Sequence, residues 1–468
     1  KIHDLDYFAQ PIYNCELVNL GDMLQNGTVI NKKKINKPKS LRTAMTLATQ
    51  IAAQVASCTY GGQTMTLSHL APFVRISKEK IAKKYESMVY IFATPEDREK
   101  AIMNDLRDEI KDAVQTFNYQ VSTIMTTNGQ APFISVAMYI SEDEEYEEET
   151  VMLIEEFLRQ RKAGMENEFG VVATQTFPKL LYFTDENNIY PDSKYYYLTE
   201  MAAECTSLRM NPDYISVLKM KELHGRAFPP MGCRAFLSMF QDENGNDLVY
   251  GRGNLGVQSL NLPFYALESG GDIGKFWELL DKGLNICRDM ARLRYTKLVG
   301  VKANVAPILW QHGAIARLNP DDDIIKAIDE RGFTVTIGYS GLYETVKYLT
   351  GYSHTSKEGF ELAEQIMKHL KYSCETFKKE EPHLRFALYG TPQESTTGWF
   401  SDKLKERFGE IPDITDKGWI TNSYHVDIRE EIDAFTKLEL ESVFQDYSTG
   451  GAISYIETSI GQWFDVLV

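Results

Sequence analysis

The sequence predicts an α/β fold with parallel strands, and three observations carry that prediction. Short apolar runs alternate with longer amphipathic stretches from about residue 179 onward, as strands joined by crossover helices do. The first part of the chain reads as mostly helical. No internal repeat and no Pro/Ser-rich linker interrupts the chain. The expected organisation is an N-terminal helical part over 1–125 and an α/β body over 126–468.

Taken in order, the elements are justified as follows. Residues 31–34, Asn-Lys-Lys-Lys, form a basic, solvated turn. Ser40 can cap a helix running to about Cys58, whose Leu41, Met45, Leu47, Ala48, Ile51, Ala52 and Val55 make an apolar stripe. Gly61-Gly62 would end it. Its small residues, Ala44, Ala48, Ala52, Ala53 and Ala56, suit either an interface helix or a buried core helix. Helices are expected over 77–93 and 95–117, and a strand over 131–140. The acidic run 141–149 reads as a solvated helix start, where acids are favourable, rather than as a metal site. A helix over 149–163 follows. Strands are then expected at 179–183, 234–239, 306–310, 333–337 and 383–389. Helices are expected near 198–210, at 271–292, 341–349 and 356–379, and from Thr396.

Composition narrows the function. A chain of 468 residues with 43% hydrophobic content can bury a large core. A net charge of −16 makes the chain a poor candidate for tight binding to a nucleic-acid backbone, which needs clustered Lys and Arg. Free nucleotides need only a few local cations and helix N-termini. The six cysteines, Cys15, Cys58, Cys205, Cys233, Cys287 and Cys374, show no regular spacing and no CxxC pair. Neither a disulfide framework nor a metal site is legible in them, and their low density suggests a reducing cytoplasm. No apolar run approaches the ~20 residues of a membrane span, and there is no signal-peptide pattern. The chain starts without Met and stops without a polar tail, so it reads as the middle of something longer.

The stretch that organises the rest is Pro229-Pro230-Met231-Gly232-Cys233-Arg234-Ala235-Phe236-Leu237-Ser238. Two prolines remove two donors and Gly232 permits a tight bend, so Cys233 is presented at a stiff turn. Taken alone, Cys233 reads as a buried cysteine. Downstream, Gly251-Arg252-Gly253-Asn254-Leu255-Gly256 formally matches the dinucleotide fingerprint. That fingerprint needs a helix after it, and here a β-like run ending in Pro263 follows, so the dinucleotide reading is rejected. Asn254 is left as a side chain able to hydrogen-bond a substrate hydroxyl, or as a satisfied turn Asn. Leu388 to Gly398 runs from a strand into a helix start, where Ser395, Thr396 and Thr397 can cap the helix and its free N–H groups would attract phosphate. Thr336-Ile337-Gly338-Tyr339-Ser340-Gly341 is a similar junction and reads as fold structure. His3 reads as a histidine bonded to Asp4 or Asp6.

These blocks resemble the anaerobic, class III ribonucleoside-triphosphate reductases, a family of glycyl-radical enzymes. The likeness rests on Met231 to Phe236, Gly251 to Val257, Leu260 to Pro263, His3 to Tyr7, Asn14-Cys15, Leu70 to Val74, Thr127 to Phe133, Phe177 to Leu180, Thr391 to Ser395 and Thr415 to Gly418. The resemblance implies a ten-stranded α/β barrel enclosing a finger loop near 229–240, with Cys233 at its tip. It implies anaerobic reduction of ribonucleoside triphosphates to deoxyribonucleotides, with Cys233 as the thiyl that abstracts the ribose 3′-hydrogen and Cys15 as its partner thiol. Formate would be the reductant, since the family's formate users carry the asparagine that stands here as Asn254. Substrate contacts would come from Glu394, Ser395, Thr396, Thr397, Gly398 and His3, although Trp399 stands where many members have Arg. Lys39, Gln50 and Lys83 would meet a dNTP or ATP effector, with Mg, across a homodimer interface. A radical S-adenosylmethionine activating enzyme would be a partner. The glycyl radical and a zinc site belong to a C-terminal segment, and an activity domain in some members to an N-terminal one; neither pattern occurs in these 468 residues, which offer no metal ligands of their own. Another glycyl-radical enzyme acting on small acids or diols, or a non-catalytic nucleotide sensor, are the alternative readings.

Overall fold

The computed structural model describes residues 10–127, 129–232 and 234–456. The chain divides into two compact units. One holds residues 16–232 with 306–321; the other holds the residues up to 15 with 233–305 and 322–457.

The first unit is built on parallel strands. These are β1 (Cys15–Leu17, of which Glu16 and Leu17 belong here), β2 (Gln63–Thr66), β3 (Ile134–Met138), β4 (Lys179–Thr184) and β5 (Asp213–Ser216). Each pairs in parallel with the next: Leu17 lies opposite Thr64, Met65 opposite Val136, Ala137 opposite Leu181 and Phe183 opposite Ile215. Around them run α1 (Leu41–Ala56), α2 (Ala71–Glu86), α3 (Pro95–Thr123), α4 (Glu147–Ala163), α5 (Tyr196–Arg209) and α6 (Val217–His224). Ser40 caps α1, its hydroxyl accepting from Thr43 N–H at 3.4 Å, as its sequence suggests. The apolar stripe of α1 is buried and packs on α3, where Thr49 bonds Gln120. Its chain leaves the helix at Ser57, before Gly61-Gly62, because those glycines lead directly into β2.

The second unit carries β6 (Arg252–Asn261), β7 (Thr334–Ser340) and β8 (Arg385–Tyr389), again parallel, with a bulge between Asn254 and Val257. Val335, Ile337 and Tyr339 form the apolar face of β7, while Thr334, Thr336, Gly338 and Ser340 line the other, and all are buried. Its helices of eight or more residues are α7 (Leu262–Ser269), α8 (Ile273–Leu298), α9 (Leu342–Thr350), α10 (Lys357–Glu380), α11 (Ser395–Phe408) and α12 (Ala434–Gln445). The glycines of the 251–256 motif lie at the start of a strand, as the rejection of the dinucleotide reading requires.

Several expectations are corrected. Residues 234–239 are not a strand: the N–H groups of Phe236 and Ser238 go to the Gly450 carbonyl and the Thr334 hydroxyl instead of to a ladder. Residues 306–310 are not a strand either, because Pro307 starts a helical turn, Pro307–Trp310. The acidic run is only partly solvated. Glu142 accepts from Ser68 at 2.8 Å and from Thr66, and Glu149 pairs with Arg75 at 2.7 Å. Among the described residues, no helix is long and apolar enough to cross a membrane.

Candidate active site

Cys233 and His3 lie outside the described residues. The residues flanking position 233 are described, and each unit fixes its own side. In the first unit, the Thr64 hydroxyl donates to the Pro230 carbonyl at 2.7 Å and accepts from Gly232 N–H at 3.2 Å. Ser135 Oγ donates to the Gly232 carbonyl at 3.4 Å. In the second unit, Arg234 has φ 72°, Phe236 N–H donates to the Gly450 carbonyl at 2.8 Å, and Ser238 N–H to Thr334 Oγ1 at 2.9 Å. Gly450 N–H in turn donates to Leu388 of β8 at 2.6 Å.

Within the second unit, Arg252 ties Ser238 to the turn before β7. It is 2% exposed, and its guanidinium donates to the carbonyls of Arg331, Leu248, Ser238 and Gly332 at 2.6–2.8 Å. Burial, with Arg385 and Arg331 adding repulsion, lowers its pKa to about 9. Phe240 packs against both Arg252 and Arg385. This residue, inside the Gly-Arg-Gly motif, was not assigned a role from the sequence, where an arginine beside glycines suggests a ligand rather than a carbonyl clamp.

Cys15 is buried and in no disulfide. Its segment is stitched to β6: Asn14 N–H donates to the Asn254 carbonyl at 3.0 Å. Gly253 makes this approach possible, since a Cβ there would lie 2.8 Å from the Cys15 carbonyl oxygen. The Asn254 side chain is fully buried and engaged, donating from Nδ2 to Thr336 Oγ1 at 3.0 Å and accepting at Oδ1 from Gly256 N–H at 2.8 Å. One amide N–H of Nδ2 and one lone pair of Oδ1 remain beyond those two bonds. The thiols of Cys58 and Cys205 are pushed by burial up to about 11, and Cys287 to about 12, so they are protonated at neutral pH.

The strand-to-helix loop after β8 is polar and buried. A Cβ at Gly338 would lie 2.2 Å from Thr391 Oγ1 and 2.7 Å from Ser259 Oγ, so those hydroxyls converge over that glycine. Gln393 is 3% exposed with neither amide atom hydrogen-bonded, and the buried Ser340 hydroxyl is likewise unpaired. Open polar groups at the carboxyl ends of parallel strands are where ligands sit in such sheets. The predicted side-chain cap on α11 is corrected. Glu394 stands at the N-cap with φ 45° and caps with no side chain. The turn is closed by Thr396 N–H to the Gln393 carbonyl at 2.8 Å and by both N–H and hydroxyl of Thr397 to the Glu394 carbonyl. Glu394 and Ser395 are exposed, Thr396 is buried, and Thr397 and Gly398 are half-buried. Lys39, Gln50 and Lys83 are exposed on the first unit. Among the described residues, no cluster of three or more His, Cys, Asp or Glu could hold a metal.

The fold is that of the anaerobic ribonucleotide reductases. The enzyme from Thermotoga maritima with glycerol in the active site matches with a TM-score of 0.71 at 16% identity, over 99% of this chain and 72% of that one. The same enzyme with dATP bound in the specificity site matches at 0.71 and 15%, over 100% and 74%. The family model for anaerobic ribonucleoside-triphosphate reductase matches residues 1–462. The anaerobic ribonucleoside-triphosphate reductase of Enterobacteria phage T4 is 38% identical over 467 residues, 97% of this chain and 74% of the relative. That of Escherichia coli (strain K12) is 37% identical over 462 residues, 97% and 63%. The chain belongs to the anaerobic ribonucleoside-triphosphate reductase family, and it spans 74% and 63% of the length of these two relatives.

Proposed function

We propose that this chain is the nucleotide-reducing body of an anaerobic ribonucleoside-triphosphate reductase. The observation that carries the reading is the stitching of the Cys15 segment to the Asn254 strand, in the same unit that anchors residues 234–238 through Thr334 and Gly450. Two thiols and an amide are what the chemistry needs there. Cys233, as a thiyl, takes the 3′-hydrogen atom of the ribose. The 2′-hydroxyl then leaves as water, Cys15 gives a hydrogen atom to C2′ from the other face, and Cys233 finally returns the abstracted hydrogen to C3′, which restores its thiyl. Formate supplies the two electrons and is oxidised to carbon dioxide, so that ribonucleotide, formate and a proton give deoxyribonucleotide, carbon dioxide and water. Asn254 uses its remaining amide N–H on the sugar or on formate. A dry interior protects such radicals, as a closed ten-stranded barrel around the 229–240 loop provides.

Ser395, Thr396, Thr397 and Gly398 hold the triphosphate, Glu394 faces the sugar, and His3 orients a proton or formate. Zinc and the glycyl radical, which generates the thiyl, belong to a C-terminal segment, and a radical S-adenosylmethionine enzyme installs that radical. Lys39, Gln50 and Lys83 serve an effector nucleotide with Mg at a homodimer interface of the 1–125 part, in a cytoplasmic protein. The test is Cys233→Ser in the natural full-length protein. Deoxynucleotide formation is expected to vanish while triphosphate binding persists; retained turnover would sink the assignment. Cys15→Ala is expected to stop turnover as well, and an active Cys15→Ala enzyme would favour a lyase of the same radical class.

A further inference from the structure

The side chain of Lys417 is fully buried, and so are those of its two carboxylate partners, Glu344 at 2.5 Å and Asp427. Its ammonium also reaches Thr421 Oγ1 at 3.4 Å, which uses all three donors. Lys417 therefore has no N–H left for a ligand. Glu344 lies in the first turn of α9 and accepts both the N–H and the hydroxyl of Thr421 at 2.7 Å. The cluster thus fixes the segment 417–427 against the start of α9. That segment closes the carboxyl end of β7, since Gly341 N–H donates to the Thr421 carbonyl at 2.8 Å and Leu342 N–H to the Ser423 carbonyl at 3.2 Å. It also reaches the loop after β8. Asn422 Oδ1 accepts from Gln393 N–H at 3.2 Å, and Ile420 N–H donates to the Thr397 carbonyl at 3.3 Å.

We infer that Lys417 is a positioning residue whose ion cluster with Glu344 and Asp427 sets, through Asn422, the 393–398 turn that receives the triphosphate. The inference rests on the proposed function for the identity of the ligand, but not for the mechanical link. Burying three charges costs desolvation, and a stable core could be built from apolar side chains instead. What apolar side chains would not supply is the set of directional bonds that lead from Glu344 to Thr421 and on to Gln393.

The test uses the full natural chain and two variants. Lys417→Met/Glu344→Gln/Asp427→Asn removes all three charges together, so no carboxylate is left buried and unpaired. Hydrogen exchange at the amides of 341–342, 393–398 and 420–423 is expected to quicken by roughly tenfold or more, with the rest of the chain unchanged. Binding of CTP, followed by calorimetry, is expected to weaken by about tenfold. Asn422→Ala leaves the ion cluster intact and cuts only the last link. It is expected to weaken CTP binding and to quicken exchange at 393–398, with exchange at 341–342 unchanged. Wild-type exchange at 393–398 in both variants would overturn the inference, as would an increase spread evenly over the chain. If the unmodified protein binds neither CTP nor any other ribonucleoside triphosphate, the functional reading fails, while the exchange pattern still decides the link.

Discussion

Gly62 and Gly232 face each other so closely that a Cβ on either would lie 2.6 Å from the Cα of the other. The contact sets the approach to position 233, because Gly232 is held at the same point by the Thr64 hydroxyl. Gly232 also has φ 38°, a region that side chains with a Cβ disfavour. Gly62→Ala is therefore expected to destabilise by roughly 1–3 kcal/mol through overpacking. Limited proteolysis within 229–236 should become faster, and a Gly62→Ala protein with wild-type thermal unfolding and proteolysis would contradict the contact.

Arg252 offers a second expectation. Substituting Met keeps much of the volume but leaves four carbonyls without their donor, those of Ser238 and Gly332 in buried bonds and those of Arg331 and Leu248 in part-buried ones, which should cost on the order of 3 kcal/mol. Arg252→Lys should be nearly as damaging, since an ammonium cannot span the fork that reaches Ser238, Leu248, Arg331 and Gly332 together. Chemical denaturation of the two variants checks this, and a harmless Lys substitution would show that charge alone suffices.

Much of this was legible from the sequence, and the failures have physical causes. The strands around Leu181, Val335 and Ala387 follow from apolar runs between turn residues, and Ser40 from its place before an apolar stripe. Asn254 stood out as a side chain able to hydrogen-bond among the glycines of the 251–256 motif. The run from Arg234 to Met239 misled because Ala235 and Leu237 are buried, and Phe236 and Met239 half-buried, without a ladder, its N–H groups going to Gly450 and Thr334. Those partners lie 214 and 96 residues away in sequence, counted from Phe236 and Ser238, and no local pattern announces them. The cap at Ser395 failed for a related reason: the positive φ of Glu394 turns the chain so that main-chain carbonyls close the first turn. Gln393 and Lys417 lie in blocks that carry the resemblance but received no role, because their significance lies in side-chain burial.

Two histidines predict a pH dependence. His354 is fully buried and His69 partly so, and burial lowers each from 6.5 to about 4. The unfolded chain binds a proton at each near pH 6.5 and the folded chain does not. Their contribution to stability is therefore complete above pH 6.5 and is lost as pH falls toward 4. The shift corresponds to about 3 kcal/mol per histidine. Unfolding measured from pH 7 to pH 4.5 should show stability falling with acid, and His354→Gln should flatten part of that slope. A slope unchanged by the substitution would place the acid sensitivity elsewhere.

The last expectation separates two neighbouring glycines. Gly450 accepts from Phe236 and donates to Leu388, and Gly451 accepts from Gly390 N–H at 2.9 Å, so the pair bridges the 234–236 segment to β8. The room at each differs. A Cβ on Gly450 would lie 2.8 Å from the Leu388 carbonyl oxygen and 3.0 Å from the Ala387 side chain. A Cβ on Gly451 would lie 2.0 Å from the Arg234 carbonyl oxygen, and Gly451 has φ 116°. Backbone atoms cannot swing aside as a flexible side chain can, and the positive φ adds strain. Gly451→Ala should therefore move the segment beside position 233 more than Gly450→Ala does. Exchange of the Phe236 amide reads this directly: it should quicken in both variants and by the larger factor in Gly451→Ala. If position 233 carries the thiyl, deoxynucleotide formation by the full-length enzyme should fall in the same order. Equal exchange in the two variants would mean that the bridge is set by β8 rather than by the approach of Arg234.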